Sequence, residues 1–395
     1  MRVPYGMTVH GQEEIDAVVN VLKTSTQMGK HVMQFEEKVA ELFNKKHGLM
    51  VNSGSSALYL GVEVLDLPKN SEVITPVLTF STTVASLVKN SLVPVFVDVE
   101  PNTFLIDIEK IEERITNNTS AISVPNLLGN IPDWERIYQI AKKYNLKLIE
   151  DSADTLGGIL RGESSGQYAD ISISSFYGSH VINCAGNGGI LCLNDDKMYR
   201  RAKILRSWGR SSSLFVESEK IENRFNIELD KIQYDAKFVF EEPGYNIEPS
   251  EMGAAFGLVQ LNKLNDNINA RIENFKEQYH FFKQYENWFS LPEQTPETRT
   301  GWLAFPLIVK ENAPFNRKEM QIALEKEGIQ TRVVFTGNIL RQPGFKDIKC
   351  VKDENGYPNA DNVMHGGILL ACHHGLTSEM LEYVHQSFKK FAEKY

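Results

Sequence analysis

Cysteine is scarce in this chain. Cys184, Cys192, Cys350 and Cys372 are the four present, and no two form a Cys-x-x-Cys pair. Free thiols in a reducing cytosol are the expectation. A basic excess is also lacking: 42 Lys and Arg face 51 Asp and Glu, for a formal net charge of −9. That balance argues against a general nucleic-acid binder. It leaves anionic small ligands open, because backbone amides and a few placed cations bind them locally. No apolar run approaches the ~20 residues that a spanning helix needs. The opening MRVPYGMTVHGQEEID has no apolar stretch of signal-peptide type. The expectation is a soluble, cytoplasmic protein with no membrane partner. Internal repeats and low-complexity segments are absent as well.

What is present is enough for a large core. The chain has 395 residues, 42% of them hydrophobic, a length that favours two domains. From about 12 to 45 apolar residues fall at helical spacing (Ile15, Val18, Val19, Leu22, then Phe35, Val39, Leu42). Seven short apolar runs then alternate with helical segments: 48–54, 72–77, 93–99, 120–126, 146–151, 170–176 and 188–194. They are rich in β-branched residues, and most end in polar residues or glycine. Strands buried on both faces of a mostly parallel sheet read this way. Such sheets place ligands at the carboxyl ends of their strands. Residues 211–240 are charged and aperiodic, and are expected to cover a site or reach a partner subunit. A helical stretch from about 252 leads to a smaller unit with strands at 302–309 and 329–335, a helix at 318–328 and a closing helix from Ser378.

Chemistry-bearing residues fall at the strand ends. Ser53-Gly54-Ser55-Ser56 follows a strand and opens a helix, and helix N-termini offer free amides to a phosphate. A capped turn explains it as readily. Phe80 is either a core ring or one stacked on a planar ligand. Asp151 closes a strand, where a carboxylate is able to hold a pyridine nitrogen protonated or simply cap the turn. Asp154 is placed to face the same pocket. Ser174 and Ser175 carry hydroxyls suited to a phosphate. His180, five residues beyond Ser175, is a structural histidine or a proton carrier. Pro243-Gly244-Tyr245-Asn246 reads as a turn.

Taken in order, VNSGSSAL, PVLTFSTT, FVDVEPNTFLID, NLLGN, IEDSADTLGG, SSFYGSH, GNGG, PGYNIEPSEMGAAFGLVQL and VVFTGNILRQPGF resemble the DegT/DnrJ/EryC1/StrS family of sugar aminotransferases and dehydratases. The match runs nearly end to end. It implies an α/β chain of the fold type I, aspartate-aminotransferase-like class. The large cofactor-binding domain, with a mostly parallel seven-stranded sheet, would span 1–250. Its N-terminal helices to about residue 30 would pack on a smaller C-terminal α/β domain, 251–395. The resemblance gives Gly54, Ser55, Ser56 and Ser175 to the phosphate of pyridoxal or pyridoxamine phosphate, Phe80 to its ring and Asp151 to its ring nitrogen. Asn246 would reach a neighbour's phosphate, which implies a homodimer with shared active sites.

In the family's aminotransferases the position of His180 is the Schiff-base lysine. No lysine occurs between Lys147 and Lys197, so the cofactor is expected to be held non-covalently. Histidine here is the pattern of the family's 3-dehydratase branch, which removes the C3 hydroxyl of nucleotide-linked 4-keto-6-deoxy sugars in deoxysugar biosynthesis. Asp154 supports that branch, and His180, Asp151 and Asp154 become the expected catalytic residues. Some dehydratases bind a [2Fe-2S] cluster through cysteines after the counterpart of SWGR. This chain reads SSSLFVESEKIENRF there, so no cluster is expected. Glu248 stands where relatives often carry a cation; it would repel a co-substrate carboxylate, which weighs against glutamate and leaves the amino donor open. Asn187 makes the usual Gly-Glu-Gly-Gly into Gly-Asn-Gly-Gly. Two alternatives remain: a sugar aminotransferase that works without the lysine, and a degenerate binding protein of the same fold.

Overall fold

The computed structural model describes residues 1–215 and 220–395. Residues 216–219 of the charged excursion lie outside them. All seven apolar runs become strands of one sheet: β1 (His47–Val51), β2 (Glu72–Pro76), β3 (Val93–Val97), β4 (Thr119–Pro125), β5 (Lys147–Asp151), β6 (Ile171–Ser175) and β7 (Gly189–Leu193). Their spatial order is β1-β7-β6-β5-β4-β2-β3. The strands from β6 to β3 run parallel, and β7 is antiparallel to both β1 and β6. Helices cover both faces, so all five residues of β3 and of β7 are buried. This explains why the runs are continuously apolar rather than alternating.

The helical N-terminal stretch is two helices, α1 (Gln12–Thr24) and α2 (Lys30–Leu42). Helix α2 starts at Gly29, which has no side chain to cap it. Its free amides are met from far along the chain: Glu251 accepts from the N–H of Gly29 (2.7 Å), His31 (2.8 Å) and Val32 (3.3 Å). A carboxylate at a helix N-terminus also suits the helix dipole. The helix Glu251–Asn262 packs on α1 and α2. Ala254, Leu264 and Ile268 join Phe35, Met50 and Phe176 in one buried cluster.

The C-terminal unit holds a three-stranded antiparallel sheet, Phe289–Ser290, Ala304–Val309 and Gly367–Ala371, with Ala304–Val309 in the centre. Helices Arg317–Lys326 and Ser378–Ala392 fall where the periodicity puts them. The strand expected at 329–335 does not form. That segment makes only isolated bridges, Ile329 with Val3 and Arg332 with Leu369. Phe335 (φ 42°) and Gly337 (φ 63°) take left-handed conformations that break an extended run. The position beside the central strand belongs instead to Gly367–Ala371, a fully buried segment that was not expected. Among the described residues no helix is long and apolar enough to cross a membrane.

Candidate active site

A cavity of about 360 Å³ opens at the carboxyl ends of β4, β5 and β6. It is lined by Ser53, Gly54, Ser55, Phe80, Asp151, Asp154, Ser175 and His180 among others. Seven of the nine expected site residues, Gly54, Ser55, Phe80, Asp151, Asp154, Ser175 and His180, therefore meet in one place.

One wall is the turn from β1 into helix α3 (Gly54–Val64). Ser53 caps it, accepting from the Ser56 N–H at 3.1 Å. Ser55 is exposed and lines the cavity. Ser56 does not: its hydroxyl donates to Asn52 Oδ1 at 2.7 Å, so it braces the turn from behind. Gly54 is needed because a Cβ there would lie 2.6 Å from the Ser175 Cβ. Only Ser175 of the two neighbouring serines faces in. Successive side chains of a strand point to opposite faces, and Ser174 Oγ donates to the Ser152 carbonyl at 3.0 Å.

Asp151 lies at the floor. Thr83 Oγ1 donates to its Oδ2 at 2.7 Å and the Ala153 N–H to its Oδ1 at 3.2 Å. Burial raises its proton affinity above the ordinary carboxylate value, with Glu150 adding to the effect. Glu150, one residue earlier, points the other way and is held by Ser152, Ser165, Ser172 and Asn126.

Asp154 accepts from the Leu128 N–H at 2.9 Å. Leu128, in NLLGN, is left-handed (φ 59°), and that bond helps hold it there. Burial pushes the Asp154 carboxyl up to about 7; Asp151 adds to this, while the Leu128 amide and Arg271 oppose it.

His180 Nδ1 lies 3.0 Å from the Ser175 carbonyl oxygen. That oxygen only accepts, so in the neutral ring Nδ1 carries the proton and Nε2 is the basic nitrogen. Burial pushes the imidazole down to about 4, helped by the Arg271 charge and opposed by backbone hydrogen bonds to Ser175 and Ala153. The ring is thus neutral near pH 7. Among the described residues that line the cavity there is no lysine.

Several further residues that the sequence did not assign to the site line the cavity. Tyr5 comes from the N-terminal strap, where Val3 pairs with Ile329. Leu303 and Phe335 come from the C-terminal unit. Asn187 lines the cavity from the Gly186–Gly189 loop, whose Gly186 (φ 108°) and Gly188 (φ 145°) are left-handed. Asn246 is exposed and lies outside its own chain's cavity, its backbone bridged to Ser207. Glu248 is half-buried and also outside it. Among the described residues no group of three or more His, Cys, Asp or Glu is placed to hold a metal.

The DegT/DnrJ/EryC1/StrS aminotransferase family model matches residues 9–389. The chain belongs to this family. Lipopolysaccharide biosynthesis protein RfbH of Salmonella typhimurium is 33% identical over 401 residues, 98% of this chain and 91% of that one. GDP-4-keto-6-deoxy-D-mannose 3-dehydratase of Yersinia pseudotuberculosis is 30% identical over 398 residues, 98% of both chains. The solved structure of the E coli GDP-4-keto-6-deoxy-D-mannose-3-dehydratase with bound hydrated PLP superposes with a TM-score of 0.87 at 29% identity. It covers 98% of this chain and 100% of that one. This DegT-family chain therefore has the aminotransferase fold, with an α/β large domain around a mostly parallel sheet.

Proposed function

We propose that this protein is a pyridoxal/pyridoxamine-phosphate-dependent dehydratase that removes the C3 hydroxyl of a nucleotide-linked 4-keto-6-deoxy sugar. The observation that carries the reading is a neutral His180, pinned through Nδ1, in a cavity with Asp151 and no lining lysine.

The residues fit the cofactor. Asp151 is a buried carboxylate whose hydrogen-bond donors are a hydroxyl and an amide, which leaves it matched to a protonated ring nitrogen. The start of helix α3, with Gly54, Ser55 and Ser175, suits a phosphate. Phe80, 51% exposed at the cavity, offers a face to a ring. When bound, pyridoxamine phosphate supplies an amine for the sugar ketone and a ring that takes up charge. Asp151 would hold the ring nitrogen protonated. His180 Nε2 accepts a proton and returns it to the departing hydroxyl. The overall exchange turns pyridoxamine phosphate and the 4-keto sugar into pyridoxal phosphate, ammonia and the 3-deoxy-4-keto sugar. An amino donor, whose identity Glu248 leaves open, would then restore the amine.

Asn246 supports a homodimer with shared sites, since it is exposed and does not line its own chain's cavity. Exposed Phe225, Ile232, Tyr234, Phe238 and Phe240 on the nearby excursion suit such a contact. A cytoplasmic location goes with this substrate class.

The test is incubation with pyridoxamine phosphate and a panel of GDP-, CDP- and dTDP-linked 4-keto-6-deoxy sugars. Ammonia should appear in step with a 3-deoxy product. Recovery of an amino sugar in its place would make the protein an aminotransferase. His180→Lys should gain a lysine-linked cofactor band and lose dehydration; full dehydration without that band would remove His180 from its role.

A further inference from the structure

Arg271, on the helix Leu264–Lys283, is fully buried. A buried guanidinium normally meets a carboxylate. This one meets three backbone carbonyls and a histidine instead. Its Nη2 donates to the Ser179 carbonyl at 3.0 Å, immediately before His180. Its Nη1 donates to the carbonyls of Trp302 (3.1 Å) and Leu303 (3.2 Å), and its Nε to His374 Nδ1 (3.4 Å). The connection continues. The Leu303 N–H donates to the Leu128 carbonyl at 2.7 Å, and the Leu128 N–H donates to Asp154. A chain of hydrogen bonds therefore runs from His180's backbone, through Arg271, Leu303 and Leu128, to the Asp154 carboxylate.

We propose that Arg271 is a positioning residue for the acid–base chemistry: it fixes the peptide that carries His180 and, through Leu303 and Leu128, the amide that holds Asp154. The inference rests on the role given to His180 above. Arg271 has five donors in a rigid fork, so one side chain sets three carbonyls at once. Lysine cannot reproduce that geometry. The guanidinium charge acts on the same pair, disfavouring a proton on His180 and favouring the ionised form of Asp154. The other titratable groups around it are Tyr5, Cys372, His373 and His374.

Two substitutions separate geometry from charge. Histidine-labelled, cofactor-free protein is titrated by NMR, with the His180 signal assigned from His180→Asn. The wild-type His180 midpoint should lie near about 4, and Arg271→Gln should raise it, while burial keeps it below 6.5. Arg271→Lys keeps the charge, so its midpoint should stay low. Its turnover should still fall about 10²-fold with little change in the KM for the sugar nucleotide, because a misplaced catalytic group costs rate rather than binding. In a His180→Asn background, Arg271→Lys should add almost nothing. Full turnover in Arg271→Lys, additive losses in the double variant, or an unmoved midpoint in Arg271→Gln would each overturn the proposal. If the Gln variant does not fold, the Arg271→Lys arms decide alone: full turnover or additive losses still overturn it. Full dehydration by His180→Asn would instead defeat the functional reading, and the NMR result would stand apart from it.

Discussion

Asp154→Asn offers a direct measurement of the cavity's electrostatics. The carboxyl is pushed up to about 7 from its ordinary 3.8, so the folded protein prefers it protonated. The sign follows. A raised pKa means a contribution fully present below 3.8 that is lost as pH climbs through about 7. Asparagine is neutral at every pH and keeps an oxygen for the Leu128 N–H. The substitution should therefore help more at high pH than at low. With 1.36 kcal/mol per pKa unit, the gain at about pH 8.5 exceeds that at about pH 5.5 by about 2 kcal/mol. Asp154 is half-buried against the cavity, and solvent screening brings this to about 1 kcal/mol. The assay is urea denaturation of wild type and variant at both pH values, without cofactor. Buried His373 and His374 are present in both proteins, so their titration cancels. A gain that does not change with pH would show Asp154 ionised throughout and would refute the burial argument.

Other substitutions probe the remaining parts. Gly54→Val puts a Cβ against Ser175 Cβ at 2.6 Å; a loss of about 1–3 kcal/mol of stability is expected, together with weaker retention of pyridoxal phosphate followed by absorbance. Asp151→Asn removes the charge facing the ring nitrogen, and cofactor affinity should fall by about 1.5–3 kcal/mol in fluorescence titration; unchanged affinity would remove Asp151 from that role. Glu251→Ala strands the amides of Gly29, His31 and Val32 and should cost at least about 1–3 kcal/mol in thermal or urea unfolding.

The strand runs were legible because both faces of each are buried, so composition alone marks them. Site residues at strand ends were legible for the same reason: chain order puts the ends of parallel strands on one side of a sheet. Which face a side chain takes was harder. Ser174 and Ser175 read alike, yet alternation sends one into the sheet and the other into the cavity. Ser56 looks like Ser55 in sequence, but one turn of helix aims it at Asn52. Segment 329–335 has β-branched residues and lies against Gly367–Ala371 through the Arg332–Leu369 bridge, yet left-handed Phe335 and Gly337 end the extended run before a ladder forms.

Arg271 shows the limit most clearly. In NINARIENF it passes for one charge in a charged helix. Its one local signal is that it shares a helical face with Ile268 and Phe275. The three carbonyls that it binds come from residues 179, 302 and 303, and only folding brings them together. Tyr5 reaches the cavity by the same route, from the opposite end of the chain. The sequence by itself determined the fold class, the family and the substitution of histidine for lysine, because these depend on order and identity. The tertiary structure alone decided the tautomer of His180, the shifted acidity of Asp154 and the anchor beneath them. Those depend on burial and on contacts between residues far apart in the chain.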